Sequence, residues 1–391
     1  METGNDRQGR LRILVSLLYY HPHPTGLTIH VQRVAEELAR RGHEVTVLTA
    51  RYDGSLPRDE QMLNGVRVVR LRTLPLAISR GMLMPAWPWA ALALALRHDV
   101  LWANLPMLET AALAVVSRLS GRAIVATHHG DLVLPRTRFN RLIGALMFRF
   151  YTVLARRAGR LVAYSEDYAA HSRWLAPFRE KVTVISPPVT MPLPERKAAA
   201  ALRSRWAPDG GPLIGFAGRF VEEKRPDLLL RALELVVEAF PRVRVVFAGQ
   251  HNIAYERTHE RHASLLERWR DRIVFLGVLR GMQAMANFYA ACDVLALTSD
   301  SECFALVQVE AMLCGTPVVM TDTPGGRVPV QATGMGRLAP VGDWRAIGEA
   351  LVAVLQEPER YHRPREEIGQ AFCFQETVDR YERLFRRHAR G

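Results

Sequence analysis

Cysteine is scarce in this sequence: Cys292, Cys303, Cys314 and Cys373 are the four in 391 residues. None stand as Cys-x-x-Cys and no histidine pair joins them, which argues against a structural zinc site and a disulfide framework. A reducing cytosol is the expected compartment. Long apolar runs are lacking too. The longest, roughly Met82 to Leu96, holds Pro85 and Pro88 and falls short of the ~20 residues that span a bilayer. Met1 to Arg10 is polar, without the apolar centre of a secretory signal. A cytoplasmic chain is expected, soluble or peripheral on the inner face of a membrane. Lysine occurs only at 181, 197 and 224. The sequence has neither G-x-G-x-x-G nor a Walker A loop, which disfavours a dehydrogenase and a P-loop ATPase.

What is present fits two domains. The length exceeds one ordinary core, and 49% hydrophobic residues supply two. The net charge of +13 is uneven. Residues 1–190 carry 25 Lys and Arg against 14 Asp and Glu, and residues 191–391 carry 27 against 25. A basic first half points to an anionic partner. The absence of aromatic–basic interleaving and of zinc-finger spacing argues against nucleic acid.

Leu11–Leu18 reads as a buried parallel strand. The turn-rich His21–Gly26 follows, then a helix with Val31, Val34, Ala35 and Leu38 on one stripe, stopped by Gly42. Further strands are expected at 45–49, 66–71, 100–103, 123–127, 161–164 and 182–185. Pro187, Pro188, Pro192 and Pro194 mark a linker. The pattern then restarts with a strand at 213–217, a helix at 226–240, and strands at 243–248, 273–276, 294–297 and 317–320. The tail, 376–390, reads as an amphipathic helix. The expected class is α/β, two doubly wound Rossmann-like domains facing each other across a deep cleft, with ligands at the carboxyl ends of the strands.

Ser299–Gly315 is the richest stretch in chemistry. A strand–turn–helix unit offers backbone N–H groups to a phosphate, here from Cys303, Phe304, Ala305 and Leu306. Glu302 stands in the turn, and Phe304 onward reads as the start of a helix. Glu310, eight residues on, is placed to accept bonds from sugar hydroxyls. Read without function, one carboxylate favours the helix dipole and the other is solvated. In Gly218–Lys224, Arg219 and Lys224 follow a strand end and suit a diphosphate leaving group. Their bland reading is a solvated loop. His128 and His129 follow another strand end; with no further ligand in sight, a substrate contact is expected rather than a metal. Gly26 allows close backbone approach before the first helix.

These residues resemble the retaining glycosyltransferases of family four, with the GT-B fold, from Leu11 to about Phe385. The most specific match is Glu302-x7-Glu310 within S-x-x-E-x-F-x-L-x-x-x-E-A-M-x-x-G-x-P-V-V. Gly218-Arg219…Lys224, Phe275-Leu276-Gly277-Val278, Arg40–Val45 and Thr127…His129-Gly130 match further family segments. The resemblance implies an N-terminal acceptor-binding domain (1–190), a nucleotide-sugar-binding domain (191–372) and a C-terminal helix (373–391) crossing back to the first domain. It implies that Arg219 and Lys224 hold the donor diphosphate, Glu310 the ribose, and Val278 the base loop. Glu302 and the amides of residues 303–306 would meet the transferred sugar and its phosphate, with His129 beside it. Gly26 and Gly218 would admit the diphosphate. The co-substrate would be a nucleotide-diphosphate sugar, with no metal and no other cofactor, and the acceptor a glycan or lipid-linked hydroxyl. The chain departs from the pattern at Thr25-Gly26, at Ala305 where Gly is common, and after Pro324-Gly325-Gly326-Arg327, where a Glu is missing. The alternatives on this fold are an epimerase or a phosphorylase.

Residues 139–160 read as a helix with no acidic residue. Arg138, Arg141, Arg149, Arg156 and Arg160 share about a 100° arc, beside Phe139, Leu142, Leu146, Phe150, Val153 and Leu154. With the segment Met82–Trp89, they suit an anionic membrane interface. The alternative is a core helix with a solvated basic face.

Overall fold

The computed structural model describes residues 9–23, 25–57, 61–74, 77–78, 81–131, 138–251, 253 and 257–389. Residues 1–8, Pro24, the side chain of Phe139 and Arg390 lie outside the described residues. The chain forms two compact units. One runs to Pro188 and takes in the chain again from Gln375; the other spans Val189–Phe374.

The first unit holds β1 (Arg12–Ser16), β2 (Glu44–Ala50), β3 (Gln61–Leu63), β4 (Val66–Leu71), β5 (Ala77–Ile78), β6 (Gly81–Met82), β7 (Val100–Leu105), β8 (Ala123–His128), β9 (Arg160–Ala163) and β10 (Val182–Val184). β5 and β6 form a separate small pair. The rest make one sheet in the order β10-β9-β8-β7-β1-β2-β4-β3, with β3 antiparallel to β4 and the other pairs parallel. Ile13, Leu14 and Val15 of β1 are all buried. Helices cover both faces of a parallel sheet, so the strand reads as an unbroken apolar run rather than an alternation.

The helix Gly26–Arg40 starts three residues before Ile29, where the sequence pattern places its beginning. Thr25 caps it by accepting a hydrogen bond from the Thr28 amide at 3.3 Å. Gly42, with φ of +91°, ends it, and the His43 amide reaches back to the Leu38 carbonyl at 3.1 Å.

The last helix, Phe374–Ala389, packs on this unit. Tyr381 is buried, its hydroxyl 3.0 Å from His30 Nε2 and 3.1 Å from Thr127 Oγ1. Arg41 reaches Asp379 at 2.5 Å and Glu382 at 3.0 Å. Thr377 donates to the Ser186 carbonyl at 2.9 Å.

The second unit holds β11 (Leu213–Ala217), β12 (Arg244–Ala248), β13 (Ile273–Gly277), β14 (Val294–Leu297), β15 (Val318–Thr321) and β16 (Gly336–Ala339). They form a parallel sheet ordered β13-β12-β11-β14-β15-β16. On one face Leu229, Leu233 and Val236 of the helix Pro226–Ala239 join Ile347, Leu351 and Val354 of the helix Trp344–Gln356 in a buried cluster. Both sheets reverse their strand order beside the first strand, at β1/β7 and at β11/β14. These are the points where loops part and leave a crevice at the strands' carboxyl ends.

Two surface expectations change. The basic helix is Arg138–Arg157, and Arg160 instead begins β9. The chain must leave the helix at Ala158–Gly159 to reach the sheet, so Arg160 drops out of the basic arc. In the segment Met82–Trp89, Met84 and Trp87 are buried, while Pro85, Ala86 and Trp89 are exposed, Trp89 at 77%. Leu154 is also buried, under the helix. Among the described residues no helix is long and apolar enough to cross a membrane.

Burial alone would raise the carboxyl pKa of Glu382, but Arg386, Arg41 and His43 hold it down to about 2. A depressed carboxylate stabilises the fold above its unfolded value and loses that contribution as pH falls through the folded value. Glu382→Gln should therefore cost ~1–2 kcal/mol at pH 7, discounted for partial exposure. The deficit should fade between about pH 4.5 and pH 2. Urea unfolding of both proteins across that range checks it.

Candidate active site

In the second unit, three strands end in glycine side by side. The Gly218 amide donates to the Ala248 carbonyl at 2.9 Å, and the Gly249 amide to the Gly277 carbonyl at 2.7 Å. Gly249 has φ of +142°, and a Cβ there would stand 2.0 Å from the Gly218 carbonyl oxygen. Only glycine permits this approach. The result is a shelf free of side chains at the carboxyl ends of β11–β13, with Val278, 47% exposed, just beyond Gly277.

Beside the shelf lies the β11/β14 reversal, where the loop after β11 is knit to the loop after β14. Thr298 Oγ1 lies 3.0 and 2.8 Å from the carbonyls of Lys224 and Arg225. The Asp300 amide donates to the Glu223 carbonyl at 3.0 Å. Arg225, in the left-handed region at φ +46°, forks onto Asp227 at 2.9 and 3.0 Å and reaches Asp300 at 3.0 Å. Burial would raise the Asp227 carboxyl, but Arg225 holds it below the ordinary range.

These ties bring Lys224 and Glu302 together. The Lys224 ammonium donates to Glu302 Oε1, which also accepts from Ser299 Oγ at 2.9 Å. Burial by itself would lower the lysine pKa; Glu302 and Glu223 outweigh it and leave the pKa raised. Lys224 is a fixed positive charge. Arg219, half-buried, sits on the same loop. Glu302 bridges to Gly325, and Gly326 lies so near that a Cβ would come within 3.1 Å of the Glu302 Cβ. Gln308 secures this wall, donating to the carbonyls of Phe304 and Gly326 at 3.0 and 2.7 Å.

The helix after this turn is Leu306–Leu313, two residues later than the sequence reading places its start. Ala305 is the reason: at φ +57° it occupies the left-handed region and breaks the helical path. Cys303 and Phe304 therefore belong to the turn, while Leu306 opens the helix. The Cys303 thiol is pushed up to about 12 by burial and by Glu302, so it is unreactive as a thiolate. Glu310 is buried within the helix and accepts from the Tyr289 hydroxyl at 3.1 Å. Tyr289 and Gln308 carried no signal in the sequence; each acts through contacts between distant elements.

In the first unit, His129 follows β8 and Gly26 opens the helix after β1 as an exposed residue. His129 Nε2 lies 2.9 Å from Asn104 Oδ1, and Nδ1 meets the Tyr164 hydroxyl. Burial, with His30 and His128 adding to it, holds its pKa well below the ordinary value. The ring is neutral, with both nitrogens engaged by protein. It is fixed in place rather than poised as a base. The adjacent His128 pairs instead with Asp131 at 2.9 Å. Among the described residues no group of three or more His, Cys, Asp or Glu is placed to hold a metal ion.

The chain is similar to known proteins. Residues 24–191 match the family described as Glycosyltransferase Family 4, and residues 200–370 match Glycosyl transferases group 1. The chain is 30% identical over 360 residues to the 2-deoxystreptamine N-acetyl-D-glucosaminyltransferase of Streptomyces fradiae, covering 86% of this chain and 84% of that one. The chain belongs to glycosyltransferase family 4. Another relative, the D-inositol 3-phosphate glycosyltransferase of Saccharomonospora viridis, is 28% identical over 395 residues, 90% of this chain and 87% of that one. Among solved structures, Anabaena HepE, crystallised with UDP and glucose, superposes with a TM-score of 0.78. It is 19% identical and the match covers 96% of this chain and 99% of that one. The doubly wound GT-B architecture is common to both. As a family 4 enzyme the chain transfers sugar from a nucleotide-sugar donor.

Two positions of positive φ at this site should respond in opposite senses. Gly249→Ala should cost at least ~2 kcal/mol, since the methyl would collide with a backbone oxygen. Ala305→Gly should stabilise by ~1 kcal/mol by relieving left-handed strain. Thermal unfolding of the two variants checks both signs.

Proposed function

We propose that the second unit binds a nucleoside-diphosphate sugar on the shelf at β11–β14, and that the sugar passes with retention of anomeric configuration to an acceptor hydroxyl. The observation that carries this reading is the Lys224–Glu302 pair at the strand reversal, beside Arg219 and the glycine shelf. Gly218 leaves room for the diphosphate, Arg219 and Lys224 neutralise it, and Val278 borders the base. Glu310 receives the ribose hydroxyls. Glu302, with the backbone of Cys303, Phe304, Ala305 and Leu306, faces the transferred sugar and its phosphate. In the first unit, His129 borders the acceptor site as a neutral side chain, and Gly26 keeps the head of its helix open.

In the proposed step the acceptor oxygen bonds to the anomeric carbon on the face from which the diphosphate departs. The bond from that carbon to the phosphate oxygen breaks, its electron pair stays with the phosphate, and the acceptor proton passes to the same leaving group. The diphosphate serves as base, which agrees with a His129 that is already hydrogen-bonded and neutral. Charge grows on the leaving group in the transition state, so Arg219 and Lys224 act there rather than on the ground state. The reading assigns the charge neutralisation to these two side chains and calls for neither metal nor further cofactor.

The first unit also carries the features of a membrane-binding face. On the helix Arg138–Arg157, Leu142 is 68% exposed and Leu146, Phe148 and Val153 are exposed beside Arg138, Arg141, Arg149 and Arg156. Trp89 and Leu119 add apolar surface on neighbouring helices. Exposed aliphatic and aromatic groups among arginines suit an anionic bilayer surface. On this reading the enzyme works at the cytoplasmic face on a lipid-linked or glycan precursor.

Three outcomes follow. Arg219→Ala and Lys224→Ala should each lower the transfer rate by about a hundredfold or more, and unchanged rates would contradict the assignment. The product's anomeric proton coupling should match that of the donor; an inverted product would exclude retention. Flotation with anionic liposomes should recover the protein, and Leu142→Asp with Phe148→Asp should abolish recovery. Equal recovery of wild type and variant would sink the membrane reading.

A further inference from the structure

A file of buried polar side chains runs from the last helix toward His129. Trp102 Nε1 donates to Thr127 Oγ1 at 2.8 Å. Thr127 Oγ1 lies 3.1 Å from the Tyr381 hydroxyl, and that hydroxyl lies 3.0 Å from His30 Nε2. Trp102, Thr127, Tyr381 and His30 are all fully buried. Burial holds the His30 pKa down to about 3 and pushes the Tyr381 hydroxyl up, so both side chains are neutral. A neutral imidazole carries one N–H. His30 Nδ1 is buried and has no hydrogen-bond partner. A bare lone pair in that place costs less than an unpaired N–H. The proton therefore sits on Nε2, and His30 donates it to Tyr381.

The His30 ring lies across His129, with centroids 5.0 Å apart and planes at 90°. Its other ring neighbours include Tyr164 at 5.1 Å and Tyr381 at 5.6 Å. Asn104 and Tyr164 hold the two nitrogens of His129. Hydrogen bonds tolerate some tilt of a ring out of their line. A second ring set across the first removes that tilt. Packing alone does not call for a hydroxyl here: Phe385, one turn beyond Tyr381, meets Trp102 at 5.4 Å with no polar atom. A buried polar pair that bonds within itself admits one orientation, where an apolar pair admits several. We infer that His30 and Tyr381 are positioning residues for His129: the hydroxyl that the last helix sets beside His30 fixes the tilt of the His129 ring in the acceptor site. This rests on the reading of His129 as a group that borders the acceptor. Both residues are buried and act through His129. The acceptor side is then complete only with the last helix docked.

The first test needs no substrate. Imidazole proton–nitrogen NMR on the full chain, labelled with ¹⁵N-histidine, reads the tautomer and charge of each ring. In wild type His30 and His129 should each be a single Nε2–H tautomer that takes up no proton between about pH 8 and pH 5. Tyr381→Phe should shift or broaden the His129 signals. His98, which precedes β7 and so lies at the opposite end of the sheet, should keep its signals and show that the fold survives. His30→Gln, which removes the ring but can still bond Tyr381, should disturb His129 in the same way and serves if Tyr381→Phe does not fold. The second test is a cycle of rates, with UDP-, GDP- and ADP-glucose as donors and methyl α-D-glucopyranoside and myo-inositol as acceptor probes. Tyr381→Phe should lower kcat about tenfold without changing the donor KM, and should cost nothing further once His129 is replaced by alanine. A His129 spectrum that neither variant alters, or a His30 proton found on Nδ1, overturns the inference. So does an equal loss of rate with and without His129, the mark of a merely structural role. Thermal shift with the same donors reads the second unit separately. A failed donor site therefore leaves a different record from a His129 that ignores Tyr381.

Discussion

The structure of the site depends on one ion pair, Lys224 with Glu302. A half-buried lysine with no partner is biased toward losing its proton, and a half-buried glutamate with no partner toward keeping one. Each is tolerated because two loops, from adjacent strands at the point where the sheet changes direction, are locked together by Thr298, Asp300 and Arg225. The cost of holding charge in a low-dielectric place is met by that framework. What it secures is a cation that needs little reorganisation when an anion arrives, which is the condition for large electrostatic effects on rate.

The same logic explains the other unusual backbone at the site. Gly249, Ala305 and Arg225 all sit at positive φ, and all flank the loops that carry the charges. Left-handed residues cost energy where the residue is not glycine. Positive φ occurs at turns elsewhere too, as at Gly42 and Asn64; here it bends the loops that carry the charges. Ala305 is the telling case, since a glycine would adopt this φ at lower cost.

Much of this was legible in the sequence. Unbroken apolar runs such as Leu11–Leu18 mark strands buried on both faces, and Gly42 marks a helix end through its need for positive φ. The strand end with Arg219 and Lys224 and the turn with Glu302 were read as one site, and the fold does bring Lys224 and Glu302 together. What escaped has a physical reason in each case. Ala305 hides a left-handed turn because alanine is the best helix former, so the helix start was read two residues early. Met84 and Trp87 looked like surface because their burial comes from contacts distant in sequence. His129 reads as an open substrate contact from its type and its place after a strand. Only the fold supplies Asn104 and Tyr164, which occupy its nitrogens.

The central claim is that the loops of β11 and β14 form a site for a nucleoside-diphosphate sugar. Wild type and Lys224→Met should be scanned by thermal shift against UDP-, GDP- and ADP-sugars, followed by assay of free nucleotide. The account predicts that one donor class raises the melting temperature of wild type and slowly releases nucleotide, and that both effects are lost in the variant. A flat panel in folded wild-type protein, or a donor that stabilises both proteins equally, would contradict it.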